Sequence, residues 1–153
     1  MEPELFDLPD SFQNHSPRIG LVLGSGLGSF KDHVDVSVSL PYSDIPALPV
    51  SKVPGHSGEF HIGSIGGQEI IIAQGRVHLY EGHSAYDVAA HVRFMAQMGV
   101  ELIILTNAAG IVNESFTPGH WMMITDHLNL TRQSPLTGGA HFIDQSAVYE
   151  PEL

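Results

Sequence analysis

No cysteine occurs in the 153 residues. That excludes a disulfide framework and thiolate catalysis, and leaves a cytoplasmic enzyme as the default expectation. Basic residues are nearly as scarce: six Lys and Arg stand against seventeen Asp and Glu, a formal net charge of −11 with ten histidines counted neutral. Such a chain is repelled by phosphodiester backbones and anionic lipid, so no nucleic acid and no membrane surface is expected as its main partner. A bilayer span needs about eighteen or more apolar residues in a row, and none is present. The opening MEPELFDLPD is acidic and proline-broken, the reverse of a signal peptide. Internal repeats and low-complexity tracts are also missing. The ten histidines invite a metal reading, but His56 to His61 and His78 to His83 are not helical zinc spacings. There is no H-E-x-x-H and no clustered carboxylate, so no metal is expected.

What is present fits one α/β domain with a real core: 42% of residues are apolar, only 15% charged, and sixteen are glycine. Residues 1–17 read as a loose leader punctuated by Pro3, Pro9 and Pro17. Arg18–Leu23 is a short apolar strand stopped by Gly24-Ser25-Gly26-Leu27-Gly28. Residues 40–55 carry Pro41, Pro46, Pro49 and Pro54, too many for a helix or central strand, and predict a long ordered or gating loop. Gly66-Gly67 between apolar runs predicts a two-residue hairpin. Ser84 with Asp87 three residues on predicts a capped helix start, and Gly99 its end. Leu102–Leu105 predicts a buried parallel strand, and Trp121–Ile124 a further one. The strand–helix–strand order predicts a crossover unit whose working end is the carboxyl end of its strands.

Four patches carry chemistry. Backbone N–H groups and the Ser25 hydroxyl of the 24–28 loop suit a phosphate, although the loop is neither a dinucleotide fingerprint nor a P-loop, and Ser25 is not in a G-x-S-x-G elbow. A plain strand-ending turn explains the same glycines. Arg76, His78, Tyr80 and Glu81 follow on a glycine-bounded loop. Arg76, His78 and Tyr80 alternate along it and are expected to project to one side. A guanidinium beside imidazole and hydroxyl is an oxyanion-holding set, against the plainer alternative of a structural Arg–Glu pair. Asn107-Ala108-Ala109-Gly110 closes an apolar strand with small residues that let a ligand approach the backbone, or that merely fit a tight turn. His56 sits on the proline-rich loop, where a histidine is usually ordinary.

In order and spacing, GSGLG at 24–28, VPGHSG at 53–58, GRVHLYEGH at 75–83 and LTNAAG at 105–110 resemble the trimeric purine nucleoside phosphorylases, relatives of the methylthioadenosine phosphorylases. The resemblance covers nearly the whole chain after the leader, and Ser25 favours the purine nucleoside branch over the methylthioadenosine branch. It implies a three-layer α/β fold with a mixed, largely parallel central sheet, residues 18–153 forming the N-terminal part of a single domain. It implies phosphorolysis of purine (deoxy)ribonucleosides to free base and (deoxy)ribose 1-phosphate, with phosphate as co-substrate and no other cofactor. Arg76 and His78 would be catalytic. Ser25, His56, Arg76, His78 and the N–H of Ala108 would bind phosphate, and Tyr80, Asn107, Ala109 and Gly110 the nucleoside. Phe142 would enter a neighbouring subunit's site in a homotrimer, and Glu81 would brace the Arg76 loop. Members run to nearly twice this length, so the chain is expected to be the N-terminal portion of such an enzyme, impaired on its own. The alternatives are a non-catalytic phosphate or pentose-phosphate binding module, a subunit-interaction fragment, and a methylthioadenosine phosphorylase-type enzyme.

Overall fold

Strand-forming, β-branched segments supply a five-stranded sheet. A computed structural model of the chain describes residues 6–51, 58–138 and 142–150. Its strands are β1 (Ile19–Leu23), β2 (Asp35–Pro41), β3 (Glu59–Ile65), β4 (Gln68–Gln74) and β5 (Leu102–Leu105), in the order β2-β3-β4-β1-β5. The sheet is mixed, as expected. β1 pairs parallel with β4 on one side and β5 on the other, while β2–β3 and β3–β4 are antiparallel. β3 and β4 form the expected hairpin, with Ile65 opposite Gln68 and positive φ at Gly66 and Gly67 (58° and 78°), the conformation glycine tolerates. Pro41 closes β2, an edge strand, where a missing N–H does least harm.

Alternation along the strands sorts two apolar faces. Val22, Phe60, Ile62, Ile71 and Ala73 pack against Phe94, Met95 and Met98 of the helical layer, and Leu23, Ile70 and Ile72 pack on the other face beneath the 3-10 turn at Gly28–His33. The helical layer starts where the Ser84–Asp87 capping box predicts. Ser84 Oγ accepts from Asp87 N at 3.1 Å, and the Ser84 hydroxyl in turn holds the Asp87 carboxyl below its ordinary range. Gly99, at φ 92°, follows its end.

Four expectations are corrected. The helix is not continuous: α1 (Ala85–Val88) and α2 (Ala90–Gln97) are separated at Ala89. Arg93 explains the break, because its Nη1 donates to Tyr86 O at 2.6 Å, displacing the helical donor that would use that carbonyl, and its guanidinium lies 3.5 Å over the Tyr86 ring. The leader is not loose from Phe6 onward. Phe6 and Phe12 are buried against Phe94, and the Gln97 amide both accepts from Phe6 N and donates to Phe6 O, at 2.8 and 2.7 Å. β5 is parallel but not buried: it is the sheet's edge, and Leu105 is 65% exposed. Trp121–Ile124 is no strand, for no described strand lies beside it to complete a ladder, and Trp121 is 77% exposed.

One core residue is chemically out of place. His91 of α2 is buried against the rings of Tyr42 and Phe60, with centroids 4.4 and 5.9 Å away, and neither ring nitrogen has a hydrogen-bond partner. Burial pushes its pKa down to about 4, with a smaller contribution from Arg93. The folded chain therefore holds His91 neutral, and as pH falls below about 6.5 the unfolded chain binds the proton first. Stability from this group is complete above that pH and is lost progressively towards pH 4. Between pH 7 and 4.5 the wild type is expected to lose about 2–3 kcal/mol more than His91→Leu. Parallel urea titrations of the two proteins at both pH values measure this, and equal losses would refute it.

Candidate anion site at the strand ends

Three adjacent parallel strands end together. Leu23 stands in register with Gln74, and Val22 with Leu105, so the loops after β1, β4 and β5 leave the sheet at the same edge. These are the 24–28, 75–81 and 106–110 segments, carrying all the candidate residues except His56 and Phe142. The carboxyl ends of parallel strands, where strand order reverses, are where α/β sheets form ligand crevices.

Thr106 joins the three loops. Its hydroxyl donates to Val22 O at 2.8 Å and accepts from Gly24 N at 2.8 Å, and its N–H donates to Val22 O at 3.1 Å. Its carbonyl accepts from Arg76 Nη1 at 3.0 Å. The backbones approach so closely that a Cβ on Gly24 would lie 2.5 Å from Thr106 O, so glycine there is a steric requirement. Beyond it the loop turns through Gly26, φ 85°, and leaves Ser25 exposed.

The loop after β4 is anchored from below. Val77 is fully buried, and the buried Tyr42 hydroxyl donates to Gly75 O at 2.9 Å. Burial raises the Tyr42 pKa, so this hydroxyl stays a donor. Arg76 is half-buried, and among the described residues no carboxylate pairs with it. The plain Arg–Glu reading is thus not what this loop adopts. Glu81 instead accepts from His78 N at 2.9 Å and from the Ser51 hydroxyl at 2.7 Å, which holds the loop as expected. The loop is extended only as far as His78 and then closes into a 3-10 turn over Leu79–Glu81, correcting the fully extended expectation. His78 and Tyr80 nevertheless stack, with ring centroids 4.8 Å apart and planes 13° from parallel. The Tyr80 ring is 76% exposed.

Asn107, Ala108, Ala109 and Gly110 are exposed on an irregular loop directly after β5. Phe142 is 81% exposed with no ring partner among the described residues, and no described contact joins it to the three loops. His56 lies outside the described residues. Sequence reasoning missed Thr106, whose only signal is a hydroxyl ending an apolar strand. It also missed Tyr42, whose only signal is a Tyr after the proline that ends β2. Among the described residues no helix is long and apolar enough to cross a membrane.

A mixed sheet whose three parallel strand ends present glycine, arginine and small-residue loops at one edge is also found in known proteins. The phosphorylase superfamily profile matches residues 18–153, and the chain belongs to that superfamily. It is 48% identical over 144 residues to purine nucleoside phosphorylase 1 of Geobacillus stearothermophilus, covering 90% of this chain and 53% of the relative. The Schistosoma mansoni purine nucleoside phosphorylase in complex with adenosine superposes with a TM-score of 0.81 at 34% identity, over 93% of this chain and 53% of that one. Isoform 2 from the same organism, in complex with cytosine and ribose-1-phosphate, gives the same TM-score, identity and coverage. The chain therefore spans about half the length of the relatives it matches.

If Thr106 is the joint, Thr106→Val should strand the Gly24 N–H and cost about 1–3 kcal/mol, whereas Thr106→Ser should cost much less. Chemical denaturation distinguishes them, and equal stabilities would remove Thr106 from this role.

Proposed function

We propose that this chain carries the phosphate-holding side of a purine nucleoside phosphorylase site. The observation that carries the reading is the joining of the three strand-end loops at Thr106, which sets the Arg76 guanidinium against the 106–110 loop with no carboxylate pairing it among the described residues. Superfamily membership and the likeness to purine nucleoside phosphorylases support the same reading.

Phosphate would accept hydrogen bonds from Ser25, Arg76, His78 and the Ala108 N–H, and from His56, which lies outside the described residues. Arg76 and His78 are the proposed catalytic pair. The nucleoside would lie over Tyr80 and along Asn107, Ala109 and Gly110. A phosphate oxygen attacks the anomeric carbon of the pentose, a C–O bond forms, and the C–N bond to the purine breaks. The base leaves with the bonding electron pair and takes up a proton, giving free purine and (deoxy)ribose 1-phosphate. Holding anionic phosphate against the cation-like sugar stabilises the charge that develops as the base departs. No metal or organic cofactor enters this scheme. A homotrimer with Phe142 reaching a neighbouring site, and a cytoplasmic setting, complete the proposal.

The exposed apolar residues at and beyond the end of β5, Leu105, Trp121, Met123 and Leu128, favour a second reading, an anion-binding or subunit-interaction module. Two measurements separate the readings. Arg76→Ala should weaken phosphate binding by about 1.5–3 kcal/mol, the worth of a charge-assisted hydrogen bond, and unchanged affinity by calorimetry in a folded variant would overturn the anion site. The purified chain should convert little or no inosine to hypoxanthine. Activity should appear when a polypeptide covering the second half of a relative is added. Robust turnover by the chain alone would contradict the expected division of the site.

A further inference from the structure

A file of polar side chains crosses three strands and ends at the glycine loop, and no role assigned above uses it. His61 of β3 is 2% exposed. Its Nδ1 lies 2.7 Å from the Ser39 hydroxyl on β2, and its Nε2 lies 2.9 Å from Gln74 Oε1 at the end of β4. Glu59 Oε2 is 3.6 Å from the same Nε2. The pairings Ser39 with His61 and Glu59 with Gln74 put all four side chains on one face of the sheet.

An imidazole among isoleucines is costly unless both nitrogens are satisfied. Here both are, in contrast to His91. In the neutral ring, an amide oxygen opposite Nε2 places the proton there, leaving Nδ1 to accept from the Ser39 hydroxyl. The Glu59 carboxylate beside His61 Nε2 also favours a proton there, so it disfavours the flipped Gln74 amide, which would need the other tautomer. The Gln74 Nε2 therefore faces the β1 side of the sheet, where a Cβ on Gly28 would meet it at 3.4 Å. Gln74 also stands in register with Leu23, the residue before the loop.

We propose that Gln74 is a positioning residue of the anion site: its amide, locked by His61, supports the 24–28 loop and sets how Ser25 and the loop N–H groups meet phosphate. The proposal rests on reading that loop as phosphate-binding. The physical need is clear, for three glycines in five residues make the loop expensive to order. Thr106 holds its first residue, and Gln74 lies beside its last.

The test is calorimetric titration of inorganic phosphate into the wild type, Gln74→Met, His61→Val and the double variant. Gln74→Met should bind about three- to tenfold more weakly, because the loop loses its polar neighbour beside Gly28. His61→Val should lose no more than that. The double variant should bind no more weakly than Gln74→Met alone, because His61 acts through Gln74. Unchanged affinity in Gln74→Met, or losses that add, would overturn the proposal while leaving the anion site standing. A wild type that binds no phosphate would remove both. Should either variant unfold, the unmodified chain still decides. Phosphate should shift the Gln74 side-chain amide and the Gly28 N–H together in proton–nitrogen spectra, and a Gln74 amide that stays still while Ser25 moves would overturn the proposal.

Discussion

The candidate site depends on one short-range joint at Thr106. A single side chain and its own peptide group meet β1, the loop that follows β1, and the arginine that follows β4. Each of those loops is rich in glycine or small residues, and alone each would sample many conformations. Binding geometry that must hold to within about half an ångström is built by fixing such loops to rigid elements. Thr106 provides that fixation at the centre. Tyr42 and Glu81 provide it on the Arg76 side, where they hold the backbone at Gly75 and His78.

Rigidity is distributed unevenly, and the distribution follows the chemistry. Phe60, Ile62, Ile71, Ile72 and Ala73 of β3 and β4 are all fully buried, so the strand that delivers Arg76 is packed on both faces. The end of β5, at Ile104 and Leu105, and the loop after it are exposed, and so are Val112, Trp121, Met123 and Leu128 beyond them. Of the groups assigned to phosphate, the half-buried Arg76 and His78 stand just beyond the packed end of β4, while Ser25 and Ala108 are exposed. Those assigned to the nucleoside, Tyr80 and the 107–110 loop, stand in solvent. A small anion of fixed shape suits the packed side. The larger, partly apolar nucleoside needs walls that the described residues do not build.

Legibility in the sequence tracked locality. The Gly66-Gly67 hairpin, the Ser84–Asp87 cap and the Gly99 stop were readable because each rule operates within four residues. The ends of β1 and β5 were readable because apolar runs stop at glycine or polar residues. The break at Ala89 was not, since it depends on Arg93 folding back onto the Tyr86 carbonyl. Nor was the packing of Phe6 and Phe12, whose partner Phe94 is more than eighty residues away in sequence. Thr106 and the Ser39–His61–Gln74 file share that character. Each depends on a particular side chain meeting another across the sheet, and no periodicity announces that. β5 and Trp121–Ile124 failed for the opposite reason. Their apolar character was read correctly, but apolar character predicts burial only where something lies alongside to bury it.

Net charge sharpens what the proposed site can select. At −11, the chain's long-range field repels any anion, yet that field is screened over about 10 Å at ordinary ionic strength. Local donors then decide the outcome. Arg76 meets no carboxylate among the described residues, and the nearby Glu81 directs its oxygens to the His78 N–H and the Ser51 hydroxyl. A compact oxyanion has to approach only this small donor-rich patch. A nucleic acid would have to lay many phosphates along an acidic surface, and its repulsion would grow with every contact made. On the proposed reading, the Arg76 guanidinium, with no carboxylate partner among the described residues, would favour a single phosphate over a polyphosphate polymer.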